Sequence, residues 1–198
     1  NGERGAMVST LSASEWASQQ WGQVELGDKR LNRRAVAVGA RMAANPEASL
    51  PNQMQSPQAL EGAYRLLNNE QVSLARLVEP HRQQTLAAAR RQAVTLWVED
   101  TTELDYPAQA SKVGLGPLGN GQGRGLLLHS TLGVEPVSRT VLGVGHVQVV
   151  LRVAHPKGTP GWRRTPEGQV WAVSAQAIGR PPAEALWVHV SDRGSDIF

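Results

Sequence analysis

The sequence predicts an α+β protein, with helices in its first part and a sheet in its second. Residues 1–92 carry apolar side chains at helical spacing, whereas residues 94–191 contain short apolar runs rich in β-branched and aromatic residues. A chain of 198 residues has room for one large domain and one small domain. We therefore predict a helical domain at residues 1–70 and a mixed α/β domain at residues 71–198.

The helices of the first part begin at recognisable capping signals. Ser12–Glu15 matches a capping box and precedes the first helix. Asp28 is placed to cap a helix over Lys29–Ala44. Ser56-Pro57 starts another helix, with proline at its first position. A turn around Pro46–Pro51 would join these two helices in a layout like a helix-turn-helix, and a third helix is predicted from about Pro80 to Arg91.

The net charge of +3 comes entirely from residues 1–95, and the basic residues cluster around residues 29–41. On a helix over Lys29–Ala44, one apolar stripe is formed by Leu31, Ala35, Val38 and Met42. The arginines at positions 30, 34 and 41 share the flank beside this stripe, with Arg33 a little further round. Such a basic surface suggests a polyanion, and beside a helix-turn-helix layout it indicates nucleic acid. The predicted DNA contacts are Lys29, Arg30, Arg33, Arg34, Arg41, Tyr64, Arg65, Lys112 and Arg124.

The second part reads as strand, strand, strand, helix, strand. The predicted strands are Val94–Asp100, Gly125–Val134, Thr140–Val153 and Leu186–Ser191, with a helix at Glu167–Ile178. The short connection after Glu135 favours a hairpin between the second and third strands. This order predicts a mixed sheet with one antiparallel hairpin and one crossover.

Two aspartates follow apolar runs in this part, Asp100 after the first strand and Asp192 after the last. A carboxylate at the tip of a buried strand is rigidly held yet accessible to a cleft. Two such carboxylates side by side are suitable oxygen ligands for Mg²⁺ or Mn²⁺. The pattern suits metal-dependent phosphoryl transfer.

Other motifs carry less functional information. Gly114–Gly119 has the spacing of a dinucleotide-binding loop, but a strand rather than a helix follows it, which favours a hairpin loop with Lys112 and Arg124 near DNA. His129 lies on a strand, where a satisfied core or rim histidine is more common than a metal ligand. Glu99, next to Asp100, and Asp196, four residues past Asp192, are the nearest carboxylates that could be mistaken for metal ligands.

Several motifs together resemble bacterial cut-and-paste transposases of the IS-four, Tn-five-like group. The first part shares Leu26–Leu31 and Ala63–Asn68 with the DNA-binding domain of that group. The second part shares Glu99–Thr102, then Leu128–Ser130, then Glu167 with Trp171, then Asp192-Arg193 with Asp196-Ile197, in the same order. The resemblance runs over nearly the whole chain.

The resemblance implies an RNase H-like catalytic domain in which two aspartates and one glutamate bind Mg²⁺ or Mn²⁺. By position, Asp100 and Asp192 match the two aspartates as catalytic and metal-binding residues. The glutamate of the family lies far downstream and has no counterpart here, because the chain ends at Phe198. We therefore expect an N-terminal portion of a DNA transposase of an insertion sequence, truncated in its RNase H-like domain and inactive alone.

Two alternatives stay open: a binding-only truncated transposase that acts as an inhibitor, and an unrelated metal-dependent nuclease. The expected partner is double-stranded DNA at transposon ends, with a homodimer only when the C-terminal region is present. The chain has no cysteine and no run of about 20 apolar residues. We accordingly expect a cytoplasmic, DNA-associated bacterial protein with no membrane partner.

Overall fold

The computed structural model describes residues 11–106, 113–119, 123–153 and 169–192. Its helices are α1 (Ala13–Trp21), α2 (Lys29–Ala44), α3 (Leu50–Met54), α4 (Pro57–Leu67), α5 (Leu74–Ala89) and α6 (Gln169–Ile178). Its strands are β1 (Val94–Asp105), β2 (Gly116–Leu118), β3 (Gly123–Glu135), β4 (Thr140–Val150) and β5 (Leu186–Val190). The predicted α+β class is confirmed.

The chain divides into two compact units, Asn1–His81 and Arg82–Phe198. The first unit is helical, and the second contains the sheet. The domain limits 1–70 and 71–198 assign a function to each part of the chain, and this assignment stays a prediction.

The capping signals read from the sequence operate in the structure. The Ser12 hydroxyl accepts a hydrogen bond from the Glu15 backbone while the Glu15 carboxylate accepts from Ser12, which completes the capping box of α1. Asp28 accepts from the Arg30 backbone at the start of α2, and Ser56 accepts from the Ala59 backbone at the start of α4. These side chains satisfy backbone N–H groups that a helix leaves without partners at its first turn.

Two predictions about the helices were wrong. The predicted turn around Pro46–Pro51 contains the start of the short helix α3. The helix predicted from Pro80 begins at Leu74, and Pro80 lies inside it. The Ser73 hydroxyl accepts a hydrogen bond from the Arg76 backbone, which is a capping contact about two turns before Pro80.

The core of the first unit collects apolar residues from the loop before α2 and from α2, α3 and α4. Its buried members are Val24, Leu26, Ala35, Val38, Met54, Ala63 and Leu66. The predicted stripe on α2 therefore supplies Ala35 and Val38, whereas Met42 at its end is 43% exposed. Trp21 packs against this core and donates its indole N–H to the Leu77 carbonyl at 2.9 Å.

The five strands form a mixed sheet. β1 pairs antiparallel with β3 and parallel with β5, and β3 also pairs antiparallel with β4 and β2. The predicted hairpin is β3–β4, and α6 lies in the chain between β4 and β5, as predicted for the crossover. Because β1 has a neighbour on both sides, it occupies the interior of the sheet.

Strand limits differ from those predicted in an informative way. β1 continues past Asp100 to Asp105, because its residues from Leu96 to Asp105 pair with β3. Asp100 therefore lies within a strand instead of at its tip. β2 lies within the hairpin loop predicted at Gly114–Gly119, and the flanking residues 107–112 and 120–122 lie outside the described residues.

The second unit packs its sheet around Trp97. This side chain is fully buried with Leu86 and Ala89 of α5 and Ile178 of α6. Gly145 makes room for the indole, since a Cβ there would lie 2.4 Å from a Trp97 ring carbon. Trp187 contacts Trp97 edge to face, with ring centroids 5.3 Å apart.

Two helical glycines in the first unit should respond oppositely to alanine. A Cβ on Gly39 would lie 2.4 Å from the Trp21 ring, which is pinned by its bond to Leu77, so Gly39→Ala should lower stability by about 1–3 kcal/mol. A Cβ on Gly62 would make only ordinary contact with Arg34, at 3.7 Å. Gly62→Ala should raise stability by about 0.5–1 kcal/mol, because alanine loses less backbone entropy.

Urea unfolding followed by far-UV circular dichroism measures both changes in the 198-residue chain. The two variants are matched, since each adds one methyl group to a helix of the same unit. Stabilisation by both variants would contradict the packing of Trp21 against Gly39.

Candidate nucleic-acid interface and paired aspartates

A cleft of about 450 Å³ lies between α2 and α4, and its polar lining is mostly arginine. We call it the arginine cleft; its residues are Arg30, Arg33, Arg34, Ala37, Val38, Arg41, Met54, Gln58, Ala59 and Gly62. All four arginines belong to α2. They lie on one face of this helix because helix positions separated by three, four or seven residues are neighbours on its surface. The structure thus brings the four predicted arginines to one surface.

Arg30 and Arg41 are held by partners within the first unit. Arg30 forms an ion pair with Asp28 at 3.3 Å, with 85% of its side chain exposed. The hydrogen bond from the Arg30 backbone N–H lowers the pKa of the Asp28 carboxyl below its usual value, and the bond from the Arg30 guanidinium adds a smaller effect in the same direction. Arg41 donates to the Met54 carbonyl at 2.5 Å, which satisfies the last residue of α3. Arg41 therefore supports the fold whatever else it contacts.

Arg33 and Arg34 are the arginines of the cleft with less structural commitment. Arg33 is exposed, and its charge acts on Asp28 from a distance. Arg34 is half-buried and lies over α4, where its Nε would be 3.7 Å from a Cβ on Gly62. No hydrogen bond or ion pair of Arg34 exists within the part of the chain that the structure describes. Its guanidinium donors are thus available to a ligand.

The remaining predicted contacts are spread over both units. Lys29 is exposed at the start of α2, and Tyr64 is 47% exposed on α4. Arg65 is paired with Glu61 at 2.6 Å on the surface of α4. Arg124 is exposed on β3 in the second unit, and Lys112 lies outside the described residues. Lys29, Tyr64 and Arg65 do not line the arginine cleft. The DNA contacts of all five residues stay a prediction.

The two aspartates lie beyond the same end of the ladder that joins the parallel strands β1 and β5. The last paired positions of β1 and β5 are Val98 and Val190, and Asp100 and Asp192 each follow two residues later. Both residues are exposed. Because paired residues of parallel strands project to the same face, this register directs Asp100 to the face that carries Val98 and Val190.

The Asp100 carboxylate is oriented by its own backbone. Its Oδ1 accepts the N–H of Thr101 at 2.8 Å, and its Oδ2 has no partner among the described residues. One oxygen of Asp100 is therefore open to a cation. Within the described ranges, no group of three or more His, Asp or Glu side chains could hold a metal ion.

Glu99 projects to the opposite, covered face of β1. Its carboxylate is buried and hydrogen-bonded to two histidines, with Oε2 3.2 Å from His129 Nε2 and Oε1 2.6 Å from His189 Nδ1. The structure thus places the Glu99 and Asp100 side chains on opposite faces of β1. His129 is fully buried and also contacts the Trp171 ring edge to face, at 5.4 Å between centroids.

Sequence reasoning missed this cluster as a unit. The alternation along β1 was visible, and it would have assigned Glu99 and Thr101 to the face opposite Asp100. The pairing of β3 and β5 with β1, which brings His129 and His189 to Glu99, depends on long-range register. Gln58 and Gly62 of the arginine cleft were also missed, although their spacing of four residues on α4 places them on one face.

Comparison with known families bears on the first unit. Residues 13–72 match the family described as transposase DNA-binding, a span that includes α1 to α4. The match assigns transposase-related DNA binding to this segment, and so DNA as a partner. Among the described residues, no helix is long and apolar enough to cross a membrane.

Arg41 and Arg33 should differ in their effect on folding. Arg41→Ala removes the donor to the Met54 carbonyl and should lower stability by about 1 kcal/mol. Arg33→Ala is the matched control, because it removes the same charge from the same helix at an exposed position and should change stability by less than about 0.5 kcal/mol. Urea unfolding of the two variants measures the difference, and equal stabilities would contradict a structural role for Arg41.

Proposed function

We propose that this chain is part of a DNA transposase of the IS-four, Tn-five-like group. Its first unit would bind duplex DNA at transposon ends, and its second unit would carry two metal-binding aspartates of an RNase H-like catalytic domain. The observation that supports the proposal is the parallel pairing of β1 with β5, which ends two residues before Asp100 and Asp192, in a chain whose residues 13–72 match transposase DNA-binding.

DNA binding in this proposal uses the arginine cleft. Arg33 and Arg34 would contact phosphate groups, since guanidinium donors pair well with phosphate oxygens. Arg30 and Arg41 would add positive charge at the rim of the cleft while keeping their bonds to Asp28 and Met54. Contacts to phosphate supply affinity without reading sequence, so base recognition would come from other residues of the unit.

The residues of the second unit fit a divalent cation in the chemistry of their donors. Mg²⁺ and Mn²⁺ prefer carboxylate oxygen, and Asp100 has an oxygen without a partner among the described residues. Asp100 and Asp192 would hold the cation on the exposed face of β1 and β5. A bound divalent ion would supply charge stabilisation for the attacking and leaving oxygens of a phosphodiester.

The contribution of the protein itself is orientation. The Thr101 N–H fixes one Asp100 oxygen, and the β1–β5 ladder fixes the backbone that leads to both aspartates. The proposed reaction is hydrolysis of a phosphodiester at the transposon end, after which the freed 3′-hydroxyl attacks a second phosphodiester. Two carboxylates supply fewer anionic ligands than three, so we propose weak metal binding and no DNA cleavage by this chain alone.

The DNA-binding proposal predicts a specific salt effect. Replacing both Arg33 and Arg34 with alanine should weaken binding to a fluorescein-labelled duplex and reduce the slope of log K against log salt by roughly two units. Replacing Arg90 and Arg91, exposed residues of the second unit, is the charge-matched control and should change the slope less. Fluorescence anisotropy between roughly 50 and 200 mM salt measures both slopes.

Equal slopes for the two double variants would show that net charge, and not the arginine cleft, governs binding. The cleft would then be an ordinary solvated surface. Stability of the Arg33 and Arg34 variant, measured by urea unfolding, excludes loss of folded protein as the cause of weaker binding.

The metal proposal predicts that Asp100→Asn and Asp192→Asn each weaken Mn²⁺ binding, because each removes an anionic ligand. Asp105→Asn is the matched control on the same strand: its carboxylate accepts from the Arg124 backbone at 3.2 Å, and it should leave Mn²⁺ affinity unchanged. Electron paramagnetic resonance of free Mn²⁺ measures the affinities. Equal affinities of all three variants would remove the metal site from the proposal.

Cleavage assays on the same proteins distinguish the alternatives. Incubation of the chain with duplex and Mn²⁺ should leave the DNA uncut. Nicking that Asp100→Ala abolishes would favour a metal-dependent nuclease with its own third ligand. A binding-only protein would be favoured if the chain binds DNA and neither Asp100→Asn nor Asp192→Asn changes its Mn²⁺ affinity.

A further inference from the structure

The two residues that flank Asp100 on β1 are both bonded to one histidine. Thr101 Oγ1 lies 2.8 Å from His129 Nδ1, and Glu99 Oε2 lies 3.2 Å from His129 Nε2. Side chains alternate along a strand, so these bonds form on the face opposite Asp100. The residues before and after Asp100 are therefore both held on the covered face of β1, and these bonds leave the Asp100 carboxylate exposed.

The hydrogen-bond donors and acceptors of this network are mutually consistent. Carboxylate oxygens accept hydrogen bonds from imidazole N–H groups, so we assign His129 Nε2 and His189 Nδ1 as the donors to Glu99. In the tautomer with its proton on Nε2, His129 accepts from the Thr101 hydroxyl at Nδ1. Every buried polar atom in the chain from Thr101 through His129 to Glu99 thus has a partner. Such fully satisfied networks are rigid, whereas partly satisfied ones are costly.

Thr101 connects the network directly to the Asp100 carboxylate. Its hydroxyl binds His129, and its backbone N–H donates to Asp100 Oδ1 at 2.8 Å. A displacement of Thr101 therefore displaces the donor that orients Asp100. In metal sites, groups that orient a ligand without touching the ion typically contribute 10–100-fold to affinity.

His189 extends the same network to the strand that leads to Asp192. The β1–β5 ladder has five paired positions and ends at Val98 and Val190. The bond from His189 to Glu99, at 2.6 Å, lies one residue before that end, and Asp192 follows beyond it. The bond therefore holds β1 and β5 together at the end of their ladder, where paired strands separate most easily.

We propose that His129 and Glu99, with Thr101 and His189, are positioning residues that set the Asp100 and Asp192 carboxylates for one divalent cation. The inference rests on the proposed metal site and assigns the buried face of the sheet a part in it. The four residues do not contact the cation, because their bonded atoms lie on the covered face. Their effect on metal affinity passes through the backbone of β1 and β5.

A purely structural network would stabilise the fold without affecting metal affinity, and a matched pair of variants separates the two roles. Thr101→Val removes the hydroxyl that binds His129 and preserves the shape and β preference of the side chain. Thr131→Val removes another hydroxyl beneath the same sheet, which is bonded to Ser174 at 2.9 Å and has no bond to Glu99, Thr101 or His129. Thr101→Ser keeps the hydroxyl and is the rescue variant.

We expect Thr101→Val to raise the Mn²⁺ dissociation constant of the 198-residue chain roughly tenfold. Thr101→Ser should remain within about twofold of the unmodified chain, and Thr131→Val should leave the Mn²⁺ constant unchanged despite lower stability. Glu99→Gln, which retains the size of the side chain but replaces one acceptor oxygen by a donor, should also raise the constant about tenfold. Electron paramagnetic resonance of free Mn²⁺ and urea unfolding are measured on each variant.

Equal Mn²⁺ constants for Thr101→Val and Thr101→Ser would overturn the inference, as would an equal loss of affinity in Thr131→Val. The Asp100→Asn variant, measured in parallel, distinguishes this failure from failure of the proposed function. If Asp100→Asn weakens Mn²⁺ binding while Thr101→Val does not, the metal site stands and the positioning role is wrong. If Asp100→Asn has no effect, the metal site itself is wrong, and the positioning role falls with it.

Discussion

The alternation of side chains along β1 is the constraint on which the second unit depends. β1 lies between β3 and β5, so each of its residues faces either the helices or the open surface. Trp97 and Glu99 project to the covered face, where one centres the core and the other bonds two histidines. Asp100 projects to the other face. One strand thus supplies the core, the polar network and the candidate ligand, and a shift by one residue would exchange all three.

The polar network explains how such a shift is resisted. A buried carboxylate without partners costs several kcal/mol, so Glu99 is tolerated only where His129 and His189 meet it. Those two histidines belong to different neighbours of β1. Only one register of both neighbours satisfies the carboxylate, whereas apolar side chains would accept several. The polar cluster therefore selects the same register that aligns Asp100 with Asp192, which links fold specificity to the candidate site.

Local signals in the sequence were sufficient for part of this architecture. The caps at Ser12, Asp28 and Ser56 involve residues two or three positions away, so their hydrogen bonds could be read directly from the sequence. The same reliance on local signals explains the wrong start predicted for α5. Proline is favoured at a helix start, but α5 begins at Leu74, after the capping residue Ser73. Asp100 was read as the end of a strand because polar residues follow it. The pairing of those residues with β3 is long-range information that no local pattern contains.

The same limit applies to the arginines, whose shared face followed from helical spacing but whose partners did not. Arg41 donates to Met54 on α3, a helix that the sequence analysis did not predict. This contact does not remove Arg41 from a role with DNA, since a guanidinium has five N–H donors and one bond leaves the others free. A tethered side chain has already lost rotamer entropy in folding and would lose less on binding phosphate, whereas the exposed Arg33 would lose its rotamer entropy only on binding. The cleft therefore combines a pre-organised rim with adaptable charges, an arrangement suited to phosphate groups whose positions vary along a duplex.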